Sequence, residues 1–357
     1  MIKFIQVSDI HLGRYFNLPM NKSNIRREEL WKTLEDIFDV GIEKKVDFVL
    51  LPGDLYEREN FRLSDFERLK SLFMKYSDLD FIIASGNHDF QNPEKLDINY
   101  VDLPNVHIFK NEYSYFEFYE KKARIYGYSW SSEIMRNGID ISPITELDYN
   151  NILLLHCDIN SSSEYMPMNI DYLKSLGFDY IALGHIHKPI SYSNRINYSG
   201  SPEPLDYGDT GGHGYIYCEI NNDEIYTEFN DIARRHYHKL EIEINENMSF
   251  DNIVSHILLK CNEIANIDND FFNLSITGNR GFKIDIDYIV SIISDDFFDM
   301  KYTDKTKIEY DIEELYNENT DNIIGDFIDY MRDADISDDF RDGIISNGLE
   351  ALMDGRT

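Results

Sequence analysis

The 357-residue chain has room for two or three domains, and its 42% hydrophobic content is enough to bury a sizeable core. A formal net charge of −32, from 66 acidic against 34 basic residues, argues against a non-specific nucleic-acid binder, because such a surface repels phosphate at long range. No stretch approaches the roughly 20 apolar residues of a membrane span, and the three scattered cysteines (Cys157, Cys218, Cys261) exclude a disulfide framework or a Cys-x-x-Cys metal site. The first strand signal begins at Ile2 and leaves no room for a signal peptide, so a cytoplasmic protein with reduced thiols is expected.

Residues 1 to about 232 alternate strand and helix signals. Residues 3–7 read as a strand that runs into Ser8-Asp9-Ile10-His11-Leu12-Gly13. Residues 26–44 place Leu30, Leu34, Ile37, Phe38 and Ile42 on one helical face. Residues 47–51 form a second strand, ending in Pro52-Gly53-Asp54. Ser64 with Glu67 is a capping-box pattern that opens a second helix. That helix leads to a strand at 81–84, which breaks at Ser85-Gly86 and is followed at once by Asn87, His88 and Asp89. This β-α-β-α-β run predicts a mostly parallel sheet with right-handed crossovers.

After Val106 the pattern changes. Residues 113–119 and 123–128 read as paired strands around Glu120-Lys121-Lys122. Residues 151–155 form a buried strand ending in His156, 169–176 a short helix, and 180–183 a strand ending in Gly184-His185-Ile186-His187. Residues 192–199, 215–220 and 225–230 read as further strands, the last two turning at Asn221-Asn222-Asp223. The antiparallel pairs of this half predict a two-sheet sandwich with outer helices. A boundary is expected near residues 233–238. Beyond it, a strand at 239–244, a helix at 250–264, a strand at 273–277 and a helix at 287–293 make a small α+β domain. Residues 301–357 hold 6 basic and 16 acidic residues, a net of −10. Within them Ile323, Ile324, Phe327, Ile328 and Met331 form one helical stripe, and Phe340, Ile344, Ile345, Leu349 and Leu352 another. Such terminal helices dock on their own domain or bind a partner.

Five strand ends carry candidate metal ligands: Asp9 and His11; Asp54; Asn87; His156; His185 and His187. In Asp-x-His and His-x-His on extended backbone, alternate side chains point the same way, so each pair is expected to face one ion. The donors mix nitrogen and oxygen without sulfur. They are too rich in imidazole for Mg²⁺ or Ca²⁺ alone and lack the thiolates of structural zinc, so Mn²⁺, Fe or catalytic Zn²⁺ fits. Seven ligands exceed what one catalytic ion takes. Two divalent cations about 3.5–4 Å apart are therefore expected, with Asp54 suited to bridge them. His88 can carry a proton, and Asp89 after it can fix the tautomer.

The ordered set Asp9-x-His11, Gly53-Asp54, Gly86-Asn87-His88-Asp89, His156 and Gly184-His185-x-His187 resembles the calcineurin-like metallophosphoesterases over residues 1 to about 232. Asp9-Ile10-His11-Leu12-Gly13, the short interval after Asp54, and Ser199-Gly200-Ser201-Pro202-Glu203-Pro204 followed by Gly211-Gly212-His213-Gly214 look like the SbcD-type DNA double-strand-break repair nucleases. The fold class implied is α/β: a four-layer α-β-β-α sandwich metallophosphoesterase domain over 1–232, a small α+β capping domain over 237–303, and an acidic helical tail over 304–357. The resemblance implies a Mn²⁺-dependent phosphodiesterase acting as exonuclease and endonuclease on DNA ends. Asp9, His11, Asp54 and His187 would hold one metal, and Asp54, Asn87, His156 and His185 the other. His88 would be the general acid near the leaving oxygen, oriented by Asp89. The implied partners are DNA, an SbcC-like coiled-coil ATPase docked on the C-terminal helices, and a second copy of the chain in a homodimer.

One departure stands out. Many nucleases of this kind have a phosphate-positioning His three residues after the bridging Asp. Here that position is Glu57, expected to repel the substrate unless turned away, with Arg58 beside it to take the contact. Arg14 and His213 are expected near the pocket in structural hydrogen bonds, and residues 199–204 in a chain-turning loop. A phosphatase or cyclic-nucleotide phosphodiesterase on the same scaffold, and a non-catalytic scaffold for the ATPase, are the other readings open to the sequence.

Overall fold

The computed structural model describes residues 1–354 apart from 93, 145–147, 161, 222–223, 282, 335 and 337. The chain divides into two units, Met1–Tyr237 and His238–Thr357.

In the first unit, β1 (Ile2–Gln6), α1 (Met20–Lys44), β2 (Phe48–Pro52), α2 (Leu63–Lys75), β3 (Asp80–Ala84) and β4 (Val106–Ile108) alternate as the periodicity predicts. There follow β5 (Ser114–Phe118), β6 (Ala123–Gly127), β7 (Asn150–His156), α3 (Ile170–Ser175), β8 (Tyr180–Gly184), β9 (Ile190–Ser193), β10 (Ile196–Tyr198), β11 (Gly214–Asn221) and β12 (Glu224–Asp231). One six-stranded sheet has the order β12-β11-β1-β2-β3-β4, parallel from β1 to β4. The other has the order β5-β6-β7-β8-β10-β9, parallel from β6 through β10.

Burial explains the layers. The central strands are apolar on both faces, as strands covered on both sides must be. Phe4, Phe48, Leu50, Ile82, Ile152, Leu154 and Tyr180 fill the space between the sheets. Leu34 and Phe38 of α1 and Phe66 and Phe73 of α2 cover the outer face of the first sheet. Trp130, Leu173 and Phe178 cover the outer face of the second. The result is the expected α-β-β-α sandwich, with a thin fourth layer made of α3 and loops. Phe38, Phe73 and Phe81 meet with ring centroids 4.5 to 6.0 Å apart. Truncating one such ring to Ala costs about 3–5 kcal/mol.

Several local expectations shift. The strand read at 192–199 is two strands, β9 and β10, folding back at Asn194-Arg195. The polar run Ser193-Asn194-Arg195 interrupts the alternation and holds the turn. Helix α1 starts at Met20, and Ile42, read as inward-facing, is 42% exposed. Helix α2 starts at Leu63, and the carboxylate capping it is Asp65, which accepts the Arg62 backbone N–H at 2.9 Å. The expected turn at Asn222 and Asp223 lies outside the described residues.

The second unit contains most of β13 (Tyr237–Ile244), then α4 (Phe250–Ile264), β14 (Phe271–Gly281), α5 (Ile286–Ile293), β15 (Asp299–Asp304), β16 (Lys307–Glu309), α6 (Ile312–Glu318), α7 (Ile323–Arg332) and α8 (Asp338–Asp354). Strand β14 is central and pairs with β16 as well as with β13 and β15. Ser249 caps α4 by accepting the Asn252 N–H. Of the two apolar stripes, Ile324, Ile328 and Met331 of α7 pack with Ile345 and Leu349 of α8 on Leu315. Ile323 and Ile344 remain exposed. The side chain of Phe340 lies outside the described residues. Among the described residues, no helix is long and apolar enough to cross a membrane.

Candidate metal centre

The loops that follow β1, β2, β3 and β8 carry Asp9 and His11, Asp54, Asn87 and His88, and His185 and His187, while His156 is the last residue of β7. Backbone bonds zip the first two loops together: Asp9 N–H donates to Gly53 O at 3.1 Å and His11 N–H to Asp54 O at 3.0 Å. Asp9, His11 and Asp54 have φ of 55°, 52° and 54°, and His185 has 108°. Each such non-glycine residue costs on the order of 1–3 kcal/mol and persists only where its surroundings over-determine it. The extended backbone expected for the Asp-x-His and His-x-His pairs is therefore not found. The strands end at Gln6 and Gly184, and left-handed turns aim the side chains. Gly53 and Gly86 admit the His156 ring, which a Cβ at either position would strike.

Asp54 sits at the middle. Its Oδ2 is 3.3 Å from His156 Nε2 and 3.7 Å from His11 Nε2, and its Oδ1 accepts the His88 N–H at 2.8 Å. Asp9, His11 and His187 bring one ligand atom each within 4.8 Å of one another, and so do Asp9, Asp54 and His156. Asn87 Oδ1 is 2.9 Å from His156 Nε2. His185 lies beside His156, ring centroids 5.3 Å apart, and its backbone N–H donates to Asp9. His185 and His187 thus have different neighbours rather than facing one point.

Partners behind the imidazoles fix which nitrogen faces inward. His156 Nδ1 donates to the Pro52 carbonyl at 3.0 Å, His11 Nδ1 to Glu57 Oε1 at 2.9 Å, and His187 Nδ1 to Asp209 Oδ2 at 3.3 Å. Carbonyls and carboxylates only accept, so Nδ1 carries a proton and Nε2 points to the centre. Burial holds the pKa of His11 below its ordinary value, and His11 Nε2 is a buried atom with no hydrogen-bond partner. Burial, with His156 alongside, pushes His185 down to about 4 and leaves a neutral ring. Burial resists charge on His156, but Asp54 outweighs it and pushes the group up to about 9. Asp9 and Asp54 are buried carboxylates at the same spot. Their field and the orphaned His11 nitrogen fit divalent cations bound by nitrogen and oxygen donors.

The two residues assigned to proton transfer behave differently. The His88 side chain is 41% exposed, and its Nδ1 donates to Glu57 Oε2 at 2.9 Å. That bond pushes His88 up to about 9. Asp89 does not orient His88, contrary to expectation. Its Oδ1 accepts the N–H of Gly86 at 2.5 Å and of Asp54 at 3.2 Å, and its Oδ2 that of Leu55 at 2.9 Å. Buried amides in two loops need an acceptor, and Asp89 turns inward to supply it. Glu57 orients His88 instead, and its Oε1 also lies 3.3 Å from Arg14 Nη1. Glu57 is thus turned away from solvent with both oxygens engaged. The Arg58 guanidinium lies 3.7 Å over the Phe90 ring, its nitrogens buried without hydrogen-bond partners.

Of the other supporting residues, the sequence pattern marks His213 and the 199–204 loop but not Asp209 or Trp130. Asp209 lies between the 199–204 and 211–214 motifs, with nothing local to mark it as the partner of His187. Trp130 Nε1 donates to the His156 carbonyl at 2.8 Å. His213 is buried with its ring nitrogens 3.0 Å from the Ser201 carbonyl and 3.2 Å from that of Asp209. In the 199–204 loop, Ser201 N–H donates to His187 O at 3.0 Å, and Glu203 pairs with the buried Arg26 at 2.9 Å.

The calcineurin-like phosphoesterase family matches residues 2–189. The chain belongs to this family. This phosphoesterase is similar to the uncharacterized metallophosphoesterase YhaO of Bacillus subtilis (strain 168), with 29% identity over 263 residues, covering 69% of the chain and 64% of that protein. It is also similar to the DNA double-strand break repair protein Mre11 of Sulfurisphaera tokodaii, with 25% identity over 236 residues, covering 59% of the chain and 56% of that protein. The chain thus spans less than two thirds of the length of either relative. Among solved structures, a dimetal phosphatase from Danio rerio aligns at 12% identity and a TM-score of 0.39, over 64% of this chain and 95% of that one.

Proposed function

We propose that this phosphoesterase hydrolyses DNA phosphodiester bonds at DNA ends, as an exonuclease and endonuclease in double-strand-break repair. The observation that carries the reading is the gathering of six ligand-type side chains around Asp54 with His88 exposed beside them. Asp9, His11, Asp54 and His187 would hold one divalent cation and Asp54, Asn87, His156 and His185 the other, with Mn²⁺ suited to the mixed donors. Bound there, the cations would neutralise phosphoryl oxygens and make water nucleophilic at neutral pH. His88 gives a proton from Nε2 to the leaving oxygen, since Nδ1 is committed to Glu57. Glu57 holds that ring in line, and Asp89 keeps the Asp54 and Gly86 loops in register.

The name of the Sulfurisphaera relative favours DNA as substrate. An ATPase of the coiled-coil type would dock on the exposed side of α7 and α8, around Ile323 and Ile344. Deleting residues 305–357 then abolishes ATPase binding, and unchanged binding removes that assignment. A homodimer completes the proposed assembly.

The deciding experiment is cleavage of a linear duplex and a single-stranded oligonucleotide with Mn²⁺ or EDTA, beside Asn87→Ala and His88→Ala. Mn²⁺-dependent cleavage lost in both variants supports the nuclease. Intact DNA with hydrolysis of a small phosphodiester selects the phosphatase or cyclic-nucleotide phosphodiesterase reading, which the charge of −32 favours.

A further inference from the structure

We propose that a cleft beside the metal centre is a subsite for a phosphate flanking the one that is cut, with Arg27 and Arg62 as its cations. The proposal rests on the nucleic-acid reading above and adds where the strand runs.

In a chain with 66 carboxylates, arginines find anionic partners readily. Arg26, Arg68, Arg124, Arg136, Arg195 and Arg332 each pair with an Asp or Glu. Arg27 and Arg62 differ. Among the described residues neither guanidinium forms an ion pair or donates a hydrogen bond, and Arg27 Nε is buried without a partner. A buried donor left unmatched is costly, so a site that keeps one calls for an acceptor from outside.

Both residues line one cleft of about 370 Å³, together with Gly13, Tyr15 and Asn60. Two carboxylates share the lining, Glu59 and Asp65, and neither pairs with the arginines. Asp65 is spent on the Arg62 backbone N–H, and nearby Glu28 on a two-pronged bond to Arg68. A planar guanidinium fork matches phosphate oxygens better than any other side chain does.

The cleft is built from the same two loops as the centre. Gly13 follows His11 by two residues and packs on Asn60 and Phe61 from the loop after Asp54. Arg14, its neighbour, touches Glu57. Gly13 has φ of 85°, and a Cβ there would lie 3.2 Å from the Phe61 ring, so the close approach of the two loops requires glycine. Tyr15 is 70% exposed at the cleft and offers a ring on which a base can stack.

The test is the Arg27→Ala/Arg62→Ala double variant of the full chain, read in two ways. In EDTA, binding of a labelled single-stranded oligonucleotide is measured across salt concentrations. With Mn²⁺, turnover of bis(p-nitrophenyl) phosphate, which has no flanking phosphate, is measured. Oligonucleotide affinity is expected to fall about tenfold, and the log–log salt slope to shrink by about 0.7 for one lost phosphate contact. Turnover of the small diester stays at the wild-type level, and Arg27→Lys/Arg62→Lys regains part of the binding. Unchanged oligonucleotide binding, or an equal loss on both substrates, overturns the proposal. If the wild type binds through the cleft but never cuts DNA, the nuclease reading falls and the subsite stands. If the wild type binds no oligonucleotide, both fall.

Discussion

Glu57 Oε2 accepts a hydrogen bond from His88 Nδ1 at 2.9 Å, while Oε1 accepts one from His11 Nδ1 at the same distance. One carboxylate therefore orients both a candidate acid and a candidate metal ligand. His88→Ala should lower kcat on DNA by about 10²- to 10⁴-fold. It should do much less to an aryl phosphodiester, whose leaving group needs no proton, and should leave the Mn²⁺ dependence unchanged. Glu57→Ala should lower kcat and also shift the Mn²⁺ titration, because His11 is freed as well. Kinetics on both substrates against Mn²⁺ concentration separate the two effects.

Asp89 is expected to act on stability rather than on proton transfer. Its carboxylate accepts three buried backbone N–H groups, from Gly86, Asp54 and Leu55. Asp89→Asn replaces one acceptor oxygen with an NH₂ group facing those donors, at a cost of about 2–3 kcal/mol. Urea unfolding should show that loss in apo protein. An unchanged midpoint with a large drop in kcat would return Asp89 to the role of orienting His88.

Asp209 reaches the centre through His187. Such outer carboxylates typically contribute 10- to 100-fold in metal affinity or activity, so Asp209→Asn should weaken Mn²⁺ binding by roughly that factor. Calorimetric titration of Mn²⁺ measures it directly. At saturating Mn²⁺ most of the turnover should return.

Cation binding should stabilise the first unit, since Asp9 and Asp54 are buried carboxylates at the same spot. A ligand at 100 times its Kd adds about 2.7 kcal/mol, or roughly 5–10 °C in Tm for a domain of this size. Gly86→Ala should lose that shift, because its Cβ would strike Asp54 and the His156 ring. Thermal melting with Mn²⁺ and with EDTA tests both statements.

Much of this arrangement is legible one residue at a time. The runs 81–84, 151–155 and 180–183 read as buried strands, and β3, β7 and β8 lie over them. The breaks at Gly53, Gly86 and Gly184 mark where chemistry-bearing side chains begin. Two things resist such a reading. The backbone of Asp9, His11 and His185 leaves the strand before the side chain is set, so alternation misjudges its direction. The turn inside 192–199 rests on the short polar run Ser193-Asn194-Arg195, flanked on both sides by strand-type residues that read as one strand.

The donor set was thus available from local pattern: which residues are Asp, Asn or His, and that each lies at or just after the end of a strand. Pairwise roles were not, because they depend on contacts between loops remote in the chain. Glu57 looked like a repulsive substitution and is an inward clamp on His88, while Asp89, next to His88 in sequence, serves the backbone of another loop. Asp209 meets His187, and Arg27 and Arg62 come to line one cleft, only once the chain has packed. Side-chain type and strand period are local properties of a chain. A hydrogen bond is satisfied by whichever acceptor the packed structure brings within 3 Å or so, and that choice belongs to the assembled sandwich.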